Sequence, residues 1–204
     1  MILAIDTATE ACSVALFNGA GLVAERHEVI GRGHAEKLVP MIADLPDNGR
    51  ADSILVDCGP GSFTGLRVGL ATARALGLGW QAEVHGFSSL ALMAATAFSD
   101  ANAPDRLAVT IAGGHGEMFV QRFTKTPFAE IAPLASLTPD AAIAEIEEPL
   151  LIGNAAAEIA ALSTICEARD ISPRAASTML LPQAFRALAP SPLYGRAPDA
   201  KPPR

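Results

Sequence analysis

Apolar positions fall into two successive runs of elements along the chain. Residues 2–5 form a short apolar strand that stops at Asp6, and residues 12–17 and 22–29 alternate as β-strands do, joined by the turn Asn18-Gly19-Ala20-Gly21. Ala35, Leu38, Met41, Ile42 and Leu45 then recur at helical spacing until Pro46-Asp47-Asn48-Gly49 ends them, with Pro40 inside the pattern as a source of bending. A buried strand at 54–56, a glycine turn, a helix from Leu66, a strand near Val84 and a helix over 90–98 complete the first run.

The polar stretch from Ser99 to Asp105 reads as a linker. Beyond it, strands at 107–111 and 118–123 flank the loop 112–117, and a helix over 138–146 starts with Thr138 as cap and Pro139 in its first turn. A strand at 150–152, a helix over 155–162 and a last helix over 174–188, interrupted by Pro182, follow. From Pro190 onward the Pro- and Ala-rich sequence is expected to be extended and mobile. The order β-β-β-α-β-α-β-α of the first run is that of a ribonuclease-H-like or actin-like lobe, so the expected fold is α/β and two-lobed, with lobes at 1–102 and 103–204, each a mixed sheet with flanking helices. Such an analogy concerns fold and leaves function open.

The turn Gly59-Pro60-Gly61-Ser62-Phe63-Thr64-Gly65 is the first place to look for chemistry. Its glycines permit close approach of a partner, Ser62 and Thr64 can cap the following helix, and a helix start offers free N–H groups to an anion. Named phosphate loops do not match, because Leu66-Arg67 follows Gly65 where a Lys would be needed, and Thr64 stands where a dinucleotide fingerprint wants Gly. A nucleophile elbow is absent as well, since Pro60 and Thr64 flank Ser62. In the helix that follows, Gly69, Ala73 and Gly77 recur every four residues, and Ala71, Ala75 and Gly79 repeat the spacing on a neighbouring face. Each glycine costs a helix about 1 kcal/mol against alanine, so close packing must compensate. The pattern alone leaves two surfaces open, the interior of the same lobe and a subunit interface.

Half of the 204 residues are hydrophobic and 18% are charged, which excludes disorder over most of the length. The net charge of -7 argues against independent binding to nucleic acid or an anionic membrane. Three scattered cysteines, Cys12, Cys58 and Cys166, fit a reducing cytosol better than a disulfide framework. The start Met1-Ile2-Leu3-Ala4-Ile5-Asp6 lacks the pattern of a signal peptide, and no apolar run is long enough to span a bilayer, so a cytoplasmic protein is expected.

Asp6 closes the first strand beside Thr7 and Thr9, where actin-like ATPases place an acidic residue, although an Asp is also simply a good turn former. His34 has Leu38 one helical turn later, so no metal pair forms there, and a surface or capping role is expected for it. His27, His85 and His115 show no ligand spacing, and Ser62 and Cys58 have no His nearby in sequence to activate them. No catalytic set and no metal site is predicted.

Asp6-Thr7-Ala8, His34 with Leu38-Val39-Pro40-Met41-Ile42, and above all the eleven residues from Gly59 to Gly69 resemble the TsaB (YeaZ) family. Gly153-Asn154-Ala155 and Pro192-Leu193-Tyr194-Gly195-Arg196 extend a weaker similarity. The resemblance implies an actin-like, non-catalytic subunit required to make N6-threonylcarbamoyladenosine at position 37 of transfer RNAs that read ANN codons. Its implied partners are the transferase TsaD, whose helix equivalent to 34–45 carries a His-x-x-x-His metal pair, and the ATPase TsaE. This chain would need no cofactor of its own, ATP, ADP and metal belonging to the partners, and would meet tRNA only through the complex. The resemblance further implies that the first two helices pair with those of TsaD, or of a second copy, which points to His34, Leu38, Met41, Leu66, Gly69, Leu70, Ala73 and Gly77 as interface. The loop 112–117 departs from the family pattern, and Gly195 stands where an aliphatic residue is common, which weakens the expectation of a docked tail. An actin-like small-molecule kinase or ATPase is the alternative, binding nucleotide or anion through Asp6, Thr7, Gly59, Gly61, Ser62, Thr64 and Gly65. Peptidase activity, suggested by the glycoprotease label of the wider family, lacks a metal pair or nucleophile set.

Overall fold

The computed structural model describes residues 1–162 and 166–195. Strands β1 (Ile2–Asp6), β2 (Ala11–Asn18) and β3 (Gly21–Val29) form the expected antiparallel meander. Helix α1 (His34–Ala43) and a 3₁₀ turn (Pro46–Gly49) lead to β4 (Ser53–Asp57), which pairs parallel to β1. Helix α2 (Phe63–Trp80) returns the chain to β5 (Glu83–Phe87), parallel to β4. The resulting order β3-β2-β1-β4-β5 is the actin-like lobe that the element order predicts.

Helix α3 (Ser89–Phe98), capped by the Ser88 hydroxyl, leads into the second sheet. Strands β6 (Arg106–Gly114) and β7 (Glu117–Thr124) form its central hairpin, and the short β8 (Ala129–Glu130) and β9 (Ala135–Leu137) both pair with β7. Helix α4 (Pro139–Glu145) begins at the Thr138 cap, followed by β10 (Leu150–Ile152), α5 (Ala156–Ala160) and β11 (Glu167–Arg169). Strand β10 runs parallel to β6 and to β11. The whole is a two-lobed, actin-like α/β fold of two mixed sheets with flanking helices.

Alternation along the strands sets the layers. Leu3, Ile5, Val14, Leu16, Ile54 and Val56 face α1 and α2, whereas Ala4, Ala15, Phe17 and Leu55 point the other way, onto α3. Leu107, Val109, Phe123 and Ile152 of the second sheet reach the same α3 from its far side. That placement explains why nine of the ten α3 residues are buried: the helix is apolar all round because it lies between two sheets. Ala108, Met118, Val120 and Leu151 cover α4 and α5 on the outer face of the second sheet.

Two expectations change. The helix foreseen at 174–188 is instead a pair of 3₁₀ turns, Ala175–Leu180 and Gln183–Arg186, separated at Pro182. Proline has no N–H to donate and forces the preceding Leu181 into extended backbone (φ -67°, ψ 135°), so one helix cannot run through. The following stretch is docked rather than mobile: Leu188 bridges to Gly86, Leu193 N donates to the Cys58 carbonyl at 2.7 Å, and a Cβ on Gly195 would strike the Phe119 ring. The departure at Gly195 is therefore what lets the tail lie against the second sheet, and residues 196–204 of the expected tail lie outside the described ones.

Candidate functional site

Strands β1 and β4 run parallel, and each ends in an aspartate one residue past its last apolar position. Asp6 and Asp57 thus stand side by side at the carboxyl edge of the sheet, each 1% exposed. Asp6 Oδ1 accepts from Ala8 N at 3.0 Å, while its Oδ2 has no N–H or O–H donor among the described residues and faces the Asp57 carboxyl. Asp57 accepts from Gly59 N at 2.7 Å and from the Ser89 hydroxyl at 2.7 and 2.8 Å. Burial pushes the Asp6 carboxyl up to about 6 against the pull of the Ala8 N–H, and burial together with the neighbouring Asp6 charge holds Asp57 well above the usual carboxylate range. Two carboxyls buried against each other favour a shared proton, and that proton would supply the donor that Asp6 Oδ2 otherwise lacks. Sequence reading found Asp6 and missed Asp57: both apolar strands visibly end on Asp, but that the two strands are parallel neighbours is not visible in the sequence.

The glycine turn closes over this pair. Ser62 N donates to Ala8 O at 2.7 Å, the Thr7 hydroxyl donates to Gly65 O at 2.8 Å, and the Ser62 hydroxyl caps Gly65 N at 3.2 Å. A Cβ at Gly61 would strike the Ala8 carbonyl, one at Gly65 the Thr7 carbonyl, and one at Gly69 the Thr7 hydroxyl. The glycines therefore answer to the β1–β2 turn, which occupies the space that a phosphate cradle would leave for a ligand. Of the residues proposed for nucleotide or anion binding, Asp6, Thr7, Gly59 and Gly65 are buried in this closure, Gly61 is half-buried, and Ser62 and Thr64 are exposed. The adjacent cleft between the lobes, about 240 Å³ and lined by Thr9, Glu10, Gly61, Ser62 and Asn154 among others, presents the Glu10 carboxylate and, among the described residues, no cationic side chain. Its size is below the range usual for small-molecule sites, and its charge opposes a polyphosphate.

Burial pushes the Cys58 and Cys12 thiols up to about 12 and 11, so both fill core and neither is a nucleophile at neutral pH. His34 corrects its expectation of a surface or capping role: it is 7% exposed, with Nε2 3.2 Å from Ala11 O, and Gly33 occupies the cap position. Leu38, at the position where a second metal-ligating histidine would stand, is fully buried core.

The eight residues foreseen as partner interface all face inward. Leu38, Met41, Leu66, Leu70 and Ala73 are at most 4% exposed, and His34, Gly69 and Gly77 are buried as well. Gly69 lies on Thr7 and Val56, and Gly77 on Ala82 and Val84, so the stripe Gly69/Ala73/Gly77 brings α2 close to its own sheet rather than to another subunit. Tight packing of the helix on β1, β4 and β5 offsets what those glycines cost it. The neighbouring stripe Ala71, Ala75 and Gly79 is exposed instead, with Leu78 beside it 85% exposed and open space around Gly79. Helix α1, packed against α2, presents Ala35, Val39 and Ala43 at the same four-residue spacing, with Val39 53% exposed. Two adjoining helices thus carry small, apolar outer rows.

Residues 24–168 match the family model described as TsaD, tRNA N6-adenosine threonylcarbamoyltransferase. The chain is 41% identical over 123 residues to the tRNA threonylcarbamoyladenosine biosynthesis protein TsaB of Escherichia coli, a match covering 58% of this chain and 52%, about half, of that protein. It is 34% identical over 212 aligned positions to an uncharacterized protein of Mycobacterium tuberculosis, covering 98% and 94% of the two chains. Among solved structures, YeaZ from Pseudomonas aeruginosa superimposes with a TM-score of 0.75 at 28% identity, over 88% of this chain and 89% of that one. A second Pseudomonas aeruginosa structure, titled as similar to peptidase YEAZ, does so with a TM-score of 0.78 at 27% identity, over 96% and 99%.

Proposed function

The chain belongs to the TsaB/YeaZ family, and from that premise we propose that it is an accessory subunit, without catalysis of its own, in the formation of N6-threonylcarbamoyladenosine at adenosine 37 of tRNAs that read ANN codons. In this reading it activates the metal-dependent transferase TsaD in concert with the ATPase TsaE. Nucleotide and metal chemistry reside in those partners, and this chain supplies a docking surface.

The observation that carries the proposal is the outer face of α1 and α2. Ala35, Val39, Ala43, Ala71, Ala75, Leu78 and Gly79 leave exposed two rows on which the helices of another subunit can pack at short range. A second copy of this chain competes for the same face when the partner is absent. Support for the accessory role also comes from the interior. Asp6 and Asp57 are occupied with each other, the glycine turn with the β1–β2 turn, and Leu38 stands where a ligand would be required. The same closure weighs against the kinase or ATPase alternative, which needs an open phosphate cradle over Asp6.

Reconstitution tests the proposal. Transfer RNA, threonylcarbamoyl-adenylate, TsaD and TsaE are incubated with and without this chain, and modified adenosine is measured by mass spectrometry of nuclease digests. Turnover that depends on the chain is expected; equal turnover without it overturns the reading.

A further inference from the structure

At the start of α2 two aromatic rings stand on the surface instead of in the core. Phe63 is 57% and Tyr194 52% exposed, their centroids are 6.2 Å apart, and the planes are tilted by 34°. The Arg67 guanidinium lies 3.6 Å over the Phe63 ring and reaches the Tyr194 hydroxyl at 3.5 Å, which holds both rings in place. About two turns further along, Arg74 donates to the Pro190 carbonyl and keeps its charge exposed. Helix α2 carries no acidic residue. The ten residues that follow Tyr194 in sequence contain Arg196, Lys201 and Arg204 against the single acid Asp199, in a chain whose net charge is -7. Arg67 and Arg74 thus stand exposed beside a preorganised pair of rings, and the sequence that follows them is basic.

We propose that Phe63, Arg67 and Tyr194 form a contact surface for an unpaired stretch of RNA. The proposal rests on the accessory-subunit reading for the identity of that RNA, a loop of the tRNA substrate. Unpaired bases present π-faces that stack on aromatic side chains, and their phosphates pair with Arg67 and Arg74. An acidic peptide would satisfy the arginines but leave the two rings exposed. Paired RNA would offer phosphates but no free base faces.

A fluorescein-labelled anticodon stem-loop and a fully paired duplex of the same composition are titrated with the full chain, alone and mixed with TsaD, at several salt concentrations. The looped RNA binds more tightly, Phe63→Ala and Tyr194→Ala each weaken it about tenfold, and Arg67→Gln lowers the salt slope by about 0.7. Leu22→Ala, at an exposed position on β3, leaves binding unchanged. Thermal melts and co-elution with TsaD are recorded for each variant. The inference is overturned if folded variants bind RNA as the wild type does, if the duplex binds equally well, if polyglutamate displaces the RNA, or if RNA affinity falls only where TsaD pairing is lost. Modification that proceeds without the chain sinks the accessory reading and leaves patch-dependent RNA binding standing, whereas chain-dependent modification with patch-independent binding sinks this inference alone.

Discussion

The Asp6–Asp57 pair holds its proton more tightly in the folded chain than in an unfolded one, where an aspartate titrates near 3.8. Its stabilising contribution is therefore complete below about pH 4, and it declines as pH rises through about 6 and on toward the higher value of Asp57. Asp57→Asn keeps an oxygen for Gly59 N and the Ser89 hydroxyl and places an amide donor against Asp6 Oδ2. The variant is expected to melt higher than wild type at pH 8, by an amount of order 2 kcal/mol, with the difference shrinking toward pH 4. Calorimetric melts across that range check it, and an Asn variant that is less stable at pH 8 would contradict the shared proton. Only half of this pair was legible in the sequence. Asp6 stands out as the residue after an apolar run, but Asp57 reads as the boundary of the next run until β1 and β4 are known to be parallel neighbours.

Helix α2 was legible as an element, and its most informative feature was legible as a pattern. Its orientation was not, because stripes of small residues occupy both sides: Gly69/Ala73/Gly77 and Ala71/Ala75/Gly79 have the same spacing. Thr7, Val56 and Val84, far away in sequence, decide which stripe is buried. Substitutions on the two faces are therefore expected to separate stability from pairing. Gly69→Leu drives a side chain into Thr7 and costs about 3 kcal/mol or more, seen as a large fall in the melting temperature. Leu78→Glu, on the exposed face, leaves the melt within about 0.5 kcal/mol of wild type and abolishes co-elution with TsaD. A Leu78→Glu chain that still co-elutes fully would move the interface elsewhere. The elements that sequence reading missed, β8, β9 and β11, are two or three residues long, too short for alternation to register. The helix wrongly expected over 174–188 failed at Pro182, where the apolar pattern continues but the backbone cannot.

At the scale of the molecule, the linker near 99–105 does separate the strands of the two sheets, yet the lobes are not independent. Helix α3 packs on both sheets in one apolar cluster, and after β11 the chain returns to the first lobe. There Ala175 N donates to the Ser13 hydroxyl, Arg174 pairs with Glu25, and Leu193 joins the core beneath α2. Composition reveals the linker, but contacts between residues 162 positions apart leave no local mark, which is why the expected 103–204 lobe lacked this strap. Shared packing of this extent predicts one cooperative transition: fluorescence of Trp80 in the first lobe and amide exchange of β7 in the second should report the same unfolding free energy, and separate transitions would refute a common core. The strap also carries Tyr194 to the start of α2, so the RNA-contact surface is assembled by the same return of the chain. Whether this fold serves as a docking subunit through the exposed rows of α1 and α2 is decided by titrating the chain into a fixed amount of TsaD, TsaE, tRNA and threonylcarbamoyl-adenylate and measuring the rate of adenosine modification. A saturable rise is expected with the wild-type chain and none with the equally stable Leu78→Glu chain; the same rise with both, or none with either, would rule the docking role out.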